Sequence, residues 1–201
     1  YTDLNDLEES IRVNIDSLKD TLNKNSLKIM PFGLDPHYSP DQVELINQSN
    51  YKIMDKNMAR SGSMGQWMMR CTSSIQVNFD ASTEEDMEET VFIADCLHPI
   101  AAYLFSNSPF KNYRRAHQKN LRSIIWADTD NTRCNNLFDH GIVSKTGLLD
   151  KYIKFFLKTP SMFSFNNEGD TIQSGQPFGQ LIKEQKASAA TKNKLILDYL
   201  R

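Results

Sequence analysis

Apolar and polar positions alternate along residues 74–80. Ile75, Val77 and Phe79 fall on one face, and Ser74, Gln76, Asn78 and Asp80 on the other. A period of two predicts a half-buried strand. Its polar face carries amide and carboxylate oxygens at two-residue spacing, which suit solvent, a metal ion or a phosphate. Over residues 3–23 the period changes: Leu4, Leu7, Ile11, Ile15, Leu18 and Leu22 recur every three or four positions, predicting an amphipathic helix with acids in its first turns. Residues 27–33 read as a strand that leaves through Pro31 and Gly33. Tyr51, Met54 and Met58 keep helical spacing, and Ser61 to Gly65 form a turn.

Ser82 and Thr83 followed by Glu84, Glu85 and Asp86 signal a helix start. That helix is predicted to reach about Phe105, burying Met87, Val91, Ala94, Ile100 and Leu104, with Pro99 kinking or interrupting it. His98 then reads as a packed or capping side chain. Lys111 to Gln118 read as a basic, solvated loop, of a kind that also covers anionic substrates. Residues 121–126 predict a short strand handing over to an acidic turn. Leu148, Leu149, Tyr152, Ile153, Phe156 and Leu157 predict a helix that stops before Pro160. Residues 166–180 are turn-rich, and Lys183 to Arg201 read as an amphipathic helix.

Composition narrows the classes. The 201 residues suit one domain, or one and part of another. With 23 basic and 25 acidic residues no sign dominates, so no nucleic-acid footprint is expected. Apolar runs are too short for a transmembrane helix, and the polar, acidic opening segment predicts no secretory signal. Cys71, Cys96 and Cys134 lack metal-like spacing and are expected as free thiols in a reducing cytoplasm. His37, His98, His117 and His140 are scattered, so zinc is not expected.

Three segments carry more than periodicity. The run MMRCTSSIQVNFD, then HPIAAYLFSNSPF, then LRSIIWADTDNTR, preceded by GLDP and NYKIMDKNM, resembles glutamate–cysteine ligases of the plant and bacterial type. These are carboxylate–amine ligases related to glutamine synthetase. The resemblance covers residues 30–165 and keeps the family's motif order. It implies ATP-dependent ligation of the γ-carboxylate of glutamate to the amine of cysteine through an acyl phosphate, the first step of glutathione synthesis. ATP and Mg2+ are the implied cofactors.

Residue by residue, the resemblance places Arg122 on the α-carboxylate of glutamate, with Trp126 beside it and Met69 and Thr72 among the substrate contacts. It places Gln76 and Asn78 at a metal site, with Asn78 and Arg133 toward the nucleotide. Asp128, Asp130 and Arg133 follow the family's turn. Two positions depart from the pattern: Asn50 stands where an arginine precedes the tyrosine, and Met162 stands where a tyrosine follows the proline. Arg60 is the candidate to compensate for Asn50. The family's main metal-binding glutamates belong to an upstream strand with no counterpart here, so the chain is expected to be a fragment, incomplete and inactive alone.

The implied fold is α+β: an antiparallel sheet carrying 74–80 and 121–126, with helices on one face, as part of a glutamine synthetase-like catalytic domain. The expected organisation is a single partial catalytic domain over 1–201, with a leading helix at 1–25 and a poorly matched tail at 166–201. Expected partners are glutamate and cysteine or another amine, neither nucleic acid nor membrane, and a companion chain or missing segments completing the sheet. Two alternatives stay open: a related ligase with a different amine or acid, or a non-catalytic binding module that kept the fold.

Overall fold

The computed structural model describes residues 3–61, 64–166 and 168–184. The chain divides into two units, residues 1–32 and 33–201. The first unit is built on helix α1, Leu4–Lys24, which Asp3 opens by accepting a hydrogen bond from the Asn5 amide at 2.8 Å. The apolar stripe forms as its spacing predicts, yet none of its residues is buried. Residues 27–32 do not make the expected strand: Leu27, Ile29 and Met30 are exposed and unpaired in regular structure. A strand has no isolated stability, because its backbone groups need a neighbouring ladder.

The second unit is mixed helical with small antiparallel ladders. Its elements are α2 (Ser49–Ser61), α3 (Gly65–Cys71), α4 (Glu84–Leu104), β1 (Phe110–Lys111), β2 (Arg114–Arg115), α5 (Leu121–Ala127), α6 (Leu148–Lys158), β3 (Phe163–Phe165), β4 (Thr171–Gln173) and α7 (Phe178–Glu184). β1 pairs with β2 and β3 with β4, each pair antiparallel. Thus the coarse α+β class stands, whereas the larger sheet expected to carry 74–80 and 121–126 is not formed among the described residues.

Both strands of that sheet are corrected for identifiable reasons. Residues 73–81 have no regular structure, and Ile75, Val77 and Phe79 are 96%, 66% and 74% exposed. The last pairing before them is the bridge between Thr72 and Leu34. Beyond Ser73, whose amide donates to the Gly33 carbonyl at 3.2 Å, no described strand offers a ladder. Residues 121–126 are the helix α5. The Asn120 side chain accepts from the Ser123 amide at 3.1 Å, and buried Ser108 Oγ accepts from the Arg122 amide at 3.0 Å. These local acceptors satisfy the first-turn amides and override the β preference of Ile124 and Ile125.

Helix α4 starts where its signals put it: Thr83 Oγ1 accepts from the Asp86 amide at 3.1 Å, with Glu84, Glu85 and Asp86 in the first turn. Replacing Thr83 by alanine is expected to lower stability by about 1 kcal/mol, measurable by chemical denaturation. The helix runs through Pro99 to Leu104 without interruption. Its expected burial fails, since Met87, Ile100 and Leu104 are 41%, 56% and 67% exposed and no α4 residue is buried. His98 is exposed rather than packed. Nor is the 111–118 segment a plain loop, because β1 and β2 close a hairpin there. The expected helix at 183–201 falls, beyond Glu184, outside the described residues.

The core beneath the candidate site joins Leu34, Cys71 and Ile125, with Val43, Met64, Trp67, Met68 and Leu121 packed around it. Burying apolar side chains of this size contributes about 1.5–3 kcal/mol each. A second apolar contact seals α6 to α7, where the Phe156 and Phe178 rings meet edge to face at 4.7 Å. Among the described residues the cysteines are free thiols. Burial pushes the Cys71 thiol up to about 11, with Asp35 adding to the shift. A raised thiol pKa favours the protonated folded form. Its contribution is therefore intact below the ordinary value of 9.0 and is lost as pH rises through about 11. At pH 8, iodoacetamide is expected to alkylate exposed Cys96 well before Cys71, read by mass spectrometry of peptides.

Candidate active site

Arg122 lies two residues after the cap of α5, so its position is set by the Asn120 and Ser108 hydrogen bonds that start the helix. Four residues on, Trp126 lies on the same helical face, and the guanidinium carbon sits 5.2 Å from the indole centroid. The stem of Arg122 passes Gly33, where a Cβ would come within 3.2 Å of its Cδ. Glycine at 33 thus leaves room for the arginine, a role that the GLDP turn did not disclose by sequence.

Arg122 is half-buried, and burial pulls its pKa below the ordinary guanidinium value. Its Nε is buried without a hydrogen-bond partner, as is Trp126 Nε1. Among the described residues no carboxylate forms an ion pair with it. A desolvated cation with an unsatisfied donor is costly unless an anion meets it. The planar fork suits a carboxylate, which it can grip through two parallel hydrogen bonds.

Helix α3 brings the other motif residues alongside. It packs on α5 and carries Met69, while Thr72 follows at its end and donates from Oγ1 to the Met68 carbonyl at 2.7 Å. Arg70 ties α3 down: its Nη2 and Nε lie 2.8 and 3.2 Å from Asp55 Oδ1 on α2. Its Nη1 donates to the Pro40 and Val43 carbonyls at 3.0 and 3.1 Å. Both side chains of this pair are largely buried, at 17% and 16% exposure, so the network positions α3 rather than decorating a surface.

A cleft of about 290 Å³ opens near the acidic turn, lined by Asn57, Arg60, Thr132, Arg133, Ser161 and Met162 among others. Here the structure gathers Arg60, Arg133 and Met162, positions far apart in sequence. Arg133 is already engaged within the cleft: its guanidinium donates to buried Asp130 and to the Pro160 carbonyl. Asp130 Oδ1 also accepts from the Thr132 amide at 2.9 Å, closing the turn. Asn57 holds the far wall, donating to the Met162 carbonyl at 3.2 Å. Periodicity pointed to none of Asn57, Thr132 and Ser161; they reach one cleft only through the meeting of α2 with β3 and β4. Asn50 stays local, its Oδ1 accepting from the Tyr51 amide at 3.0 Å.

Gln76 and Asn78 lie in the exposed irregular segment and are not gathered with these groups by any hydrogen bond. Among the described residues no three His, Cys, Asp or Glu side chains cluster as metal ligands. Two neutral amides without carboxylates do not fit magnesium, which takes carboxylate and phosphate oxygens in octahedral geometry.

The family model described as glutamate-cysteine ligase family 2 matches residues 1–190. Glutamate–cysteine ligase A, chloroplastic, of Oryza sativa subsp. indica is 34% identical over 149 residues, covering 73% of this chain and 29% of that protein. The chloroplastic glutamate–cysteine ligase of Medicago truncatula is 30% identical over 164 residues, 80% of this chain and 31% of its own length. The Brassica juncea protein of the same name is 30% identical over 168 residues, with 82% and 32% coverage. The chain therefore spans less than a third of the curated relatives it matches.

Proposed function

Because the chain belongs to glutamate–cysteine ligase family 2, we propose that it serves nucleotide-dependent ligation of glutamate to cysteine, the first step of glutathione synthesis, by supplying the clamp for glutamate. The single supporting observation is the desolvated Arg122, stacked near Trp126 with an unpartnered Nε and, among the described residues, no carboxylate paired with it. An amino-acid α-carboxylate meets that demand. Gripping it there fixes the substrate at one end and leaves the γ-carboxylate to be activated and then attacked by an amine. Holding reactants in register is a large part of such catalysis.

ATP, when bound, supplies the phosphoryl group that activates the γ-carboxylate. The described residues do not offer magnesium a carboxylate set, and Arg133 is already engaged by Asp130 and Pro160. The described residues thus bind and orient the acid, while the nucleotide and metal need further groups. In this reading residues 1–201 belong to one partial catalytic domain, and the bare alternation at 74–80 adds a strand to a glutamine synthetase-like sheet completed by further segments or a companion chain. No helix among the described residues is long and apolar enough to cross a membrane; the cytoplasm is the proposed compartment.

The test is ADP release with magnesium, ATP, glutamate and cysteine, against controls lacking each amino acid. Release that requires both amino acids supports ligation to cysteine. Release that requires glutamate and accepts another amine equally well moves the assignment to a related ligase. Absence of release from the 201 residues and from a longer polypeptide containing them would sink the catalytic reading.

A further inference from the structure

The β1–β2 hairpin carries a feature that the glutamate clamp does not use. Its register sets Lys111 directly opposite Arg114, and Phe110 opposite Arg115. Residues facing each other across an antiparallel pair project from the same face, so two cations stand side by side. Like charges in that arrangement are destabilising. Lys111 Nζ sits 4.0 Å from the Trp67 ring centroid, which identifies the shared face as the one toward α3. Among the described residues neither Lys111 nor Arg114 has an ion-pair partner.

The turn between the strands is held under strain. Asn112 and Tyr113 both have positive φ, 51° and 62°. Two-residue hairpins of this kind favour Asn-Gly, and a bulky side chain at the second position is costly. Tyr113 is kept there from outside the hairpin: its amide donates to the Pro36 carbonyl at 2.8 Å and its ring stacks on His37 at 4.7 Å. Asp35, in the same loop, turns Oδ1 onto the amides of His37 and Tyr38 at 2.8 and 3.0 Å. Strain retained together with like charge that no ion pair offsets marks a place where a ligand contributes further stabilisation.

We propose that Lys111 and Arg114 form a binding site for a multiply charged phosphate anion, held between the two cations on the Trp67 side of the hairpin. Lysine supplies a compact charge and arginine a planar donor fork, a combination suited to phosphate oxygens. That the anion is the phosphate tail of a nucleotide rests on the nucleotide-dependent reading above; anion binding itself does not. Unlike Arg133, neither cation is already engaged by a carboxylate or a carbonyl.

Isothermal titration calorimetry of the 201-residue chain with sodium tripolyphosphate, ATP and adenosine tests it without requiring turnover. Tripolyphosphate and ATP are expected to bind one to one, and adenosine not at all. Lys111→Gln and Arg114→Gln are each expected to weaken tripolyphosphate about tenfold. Arg115→Gln removes the same charge from the opposite face and is expected to stay within about twofold, with circular dichroism confirming that each variant is folded. No heat from tripolyphosphate, binding of ATP alone, or an equal loss in Arg115→Gln would each overturn the site. Ligation that fails while tripolyphosphate still binds would instead overturn the catalytic reading and leave this one intact.

Discussion

Replacing Arg122 by lysine in an active ligase containing this segment is expected to lower kcat/KM for glutamate by about a hundredfold, equal to about 2.7 kcal/mol. Lysine keeps the charge and loses the fork, so it cannot reproduce two parallel hydrogen bonds to one carboxylate. It also loses the planar face that lies 5.2 Å from the Trp126 ring. Hydrogen bonds to charged groups contribute about 1.5–3 kcal/mol each, which sets the size of the effect. Most of the loss should appear in KM for glutamate, because a clamp on the substrate's α-carboxylate would act in ground and transition states alike. Steady-state kinetics at varied glutamate and fixed cysteine read this directly. A change below about threefold would remove Arg122 from the substrate site.

Replacing Gly65 by alanine is expected to destabilise the second unit by about 2–3 kcal/mol, against the usual sign for a helix. Alanine normally improves a helical position by about 0.5–1 kcal/mol over glycine. Here a Cβ at Gly65 would lie 2.4 Å from Met58 Cβ and 2.8 Å from the Met58 carbonyl oxygen. Met58 is buried, and its backbone belongs to α2, so the neighbour cannot yield cheaply. The two helices would have to part where α3 begins. For a chain of this length the expected fall in melting temperature is about 5–10 °C. Thermal unfolding by circular dichroism decides the matter, and an unchanged or raised midpoint would show that α2 and α3 tolerate separation.

The legible parts of the chain were those governed by local chemistry. Thr83 and the acids after it announced α4, the apolar spacing from Leu148 to Leu157 announced α6, and Leu4 to Leu22 announced α1. A side-chain cap and a 3.6-residue period act within one or two turns, so they need no distant partner. The family resemblance put Trp126 beside Arg122 on an expected strand; it is the helix that brings them together, since residues four apart on a helix are neighbours. The motif run nonetheless hid the state of its own backbone. Ile124 and Ile125 suggested a strand, while the hydrogen bonds of Asn120 and Ser108 made a helix.

Amino-acid order alone determined the family and the starts of α1, α4 and α6. Tertiary structure alone decided that Ile75, Val77 and Phe79 stand exposed, because a period of two names a face without supplying the ladder that covers it. It alone decided that Arg133 donates to Asp130 and Pro160, that Gly33 lies against the Arg122 stem, and that Gly65 must be small. Those outcomes depend on where side chains and backbones come together in space, whether from Pro160 to Arg133 or between the neighbouring helices at Met58 and Gly65, and such close approach leaves no periodic trace in the sequence.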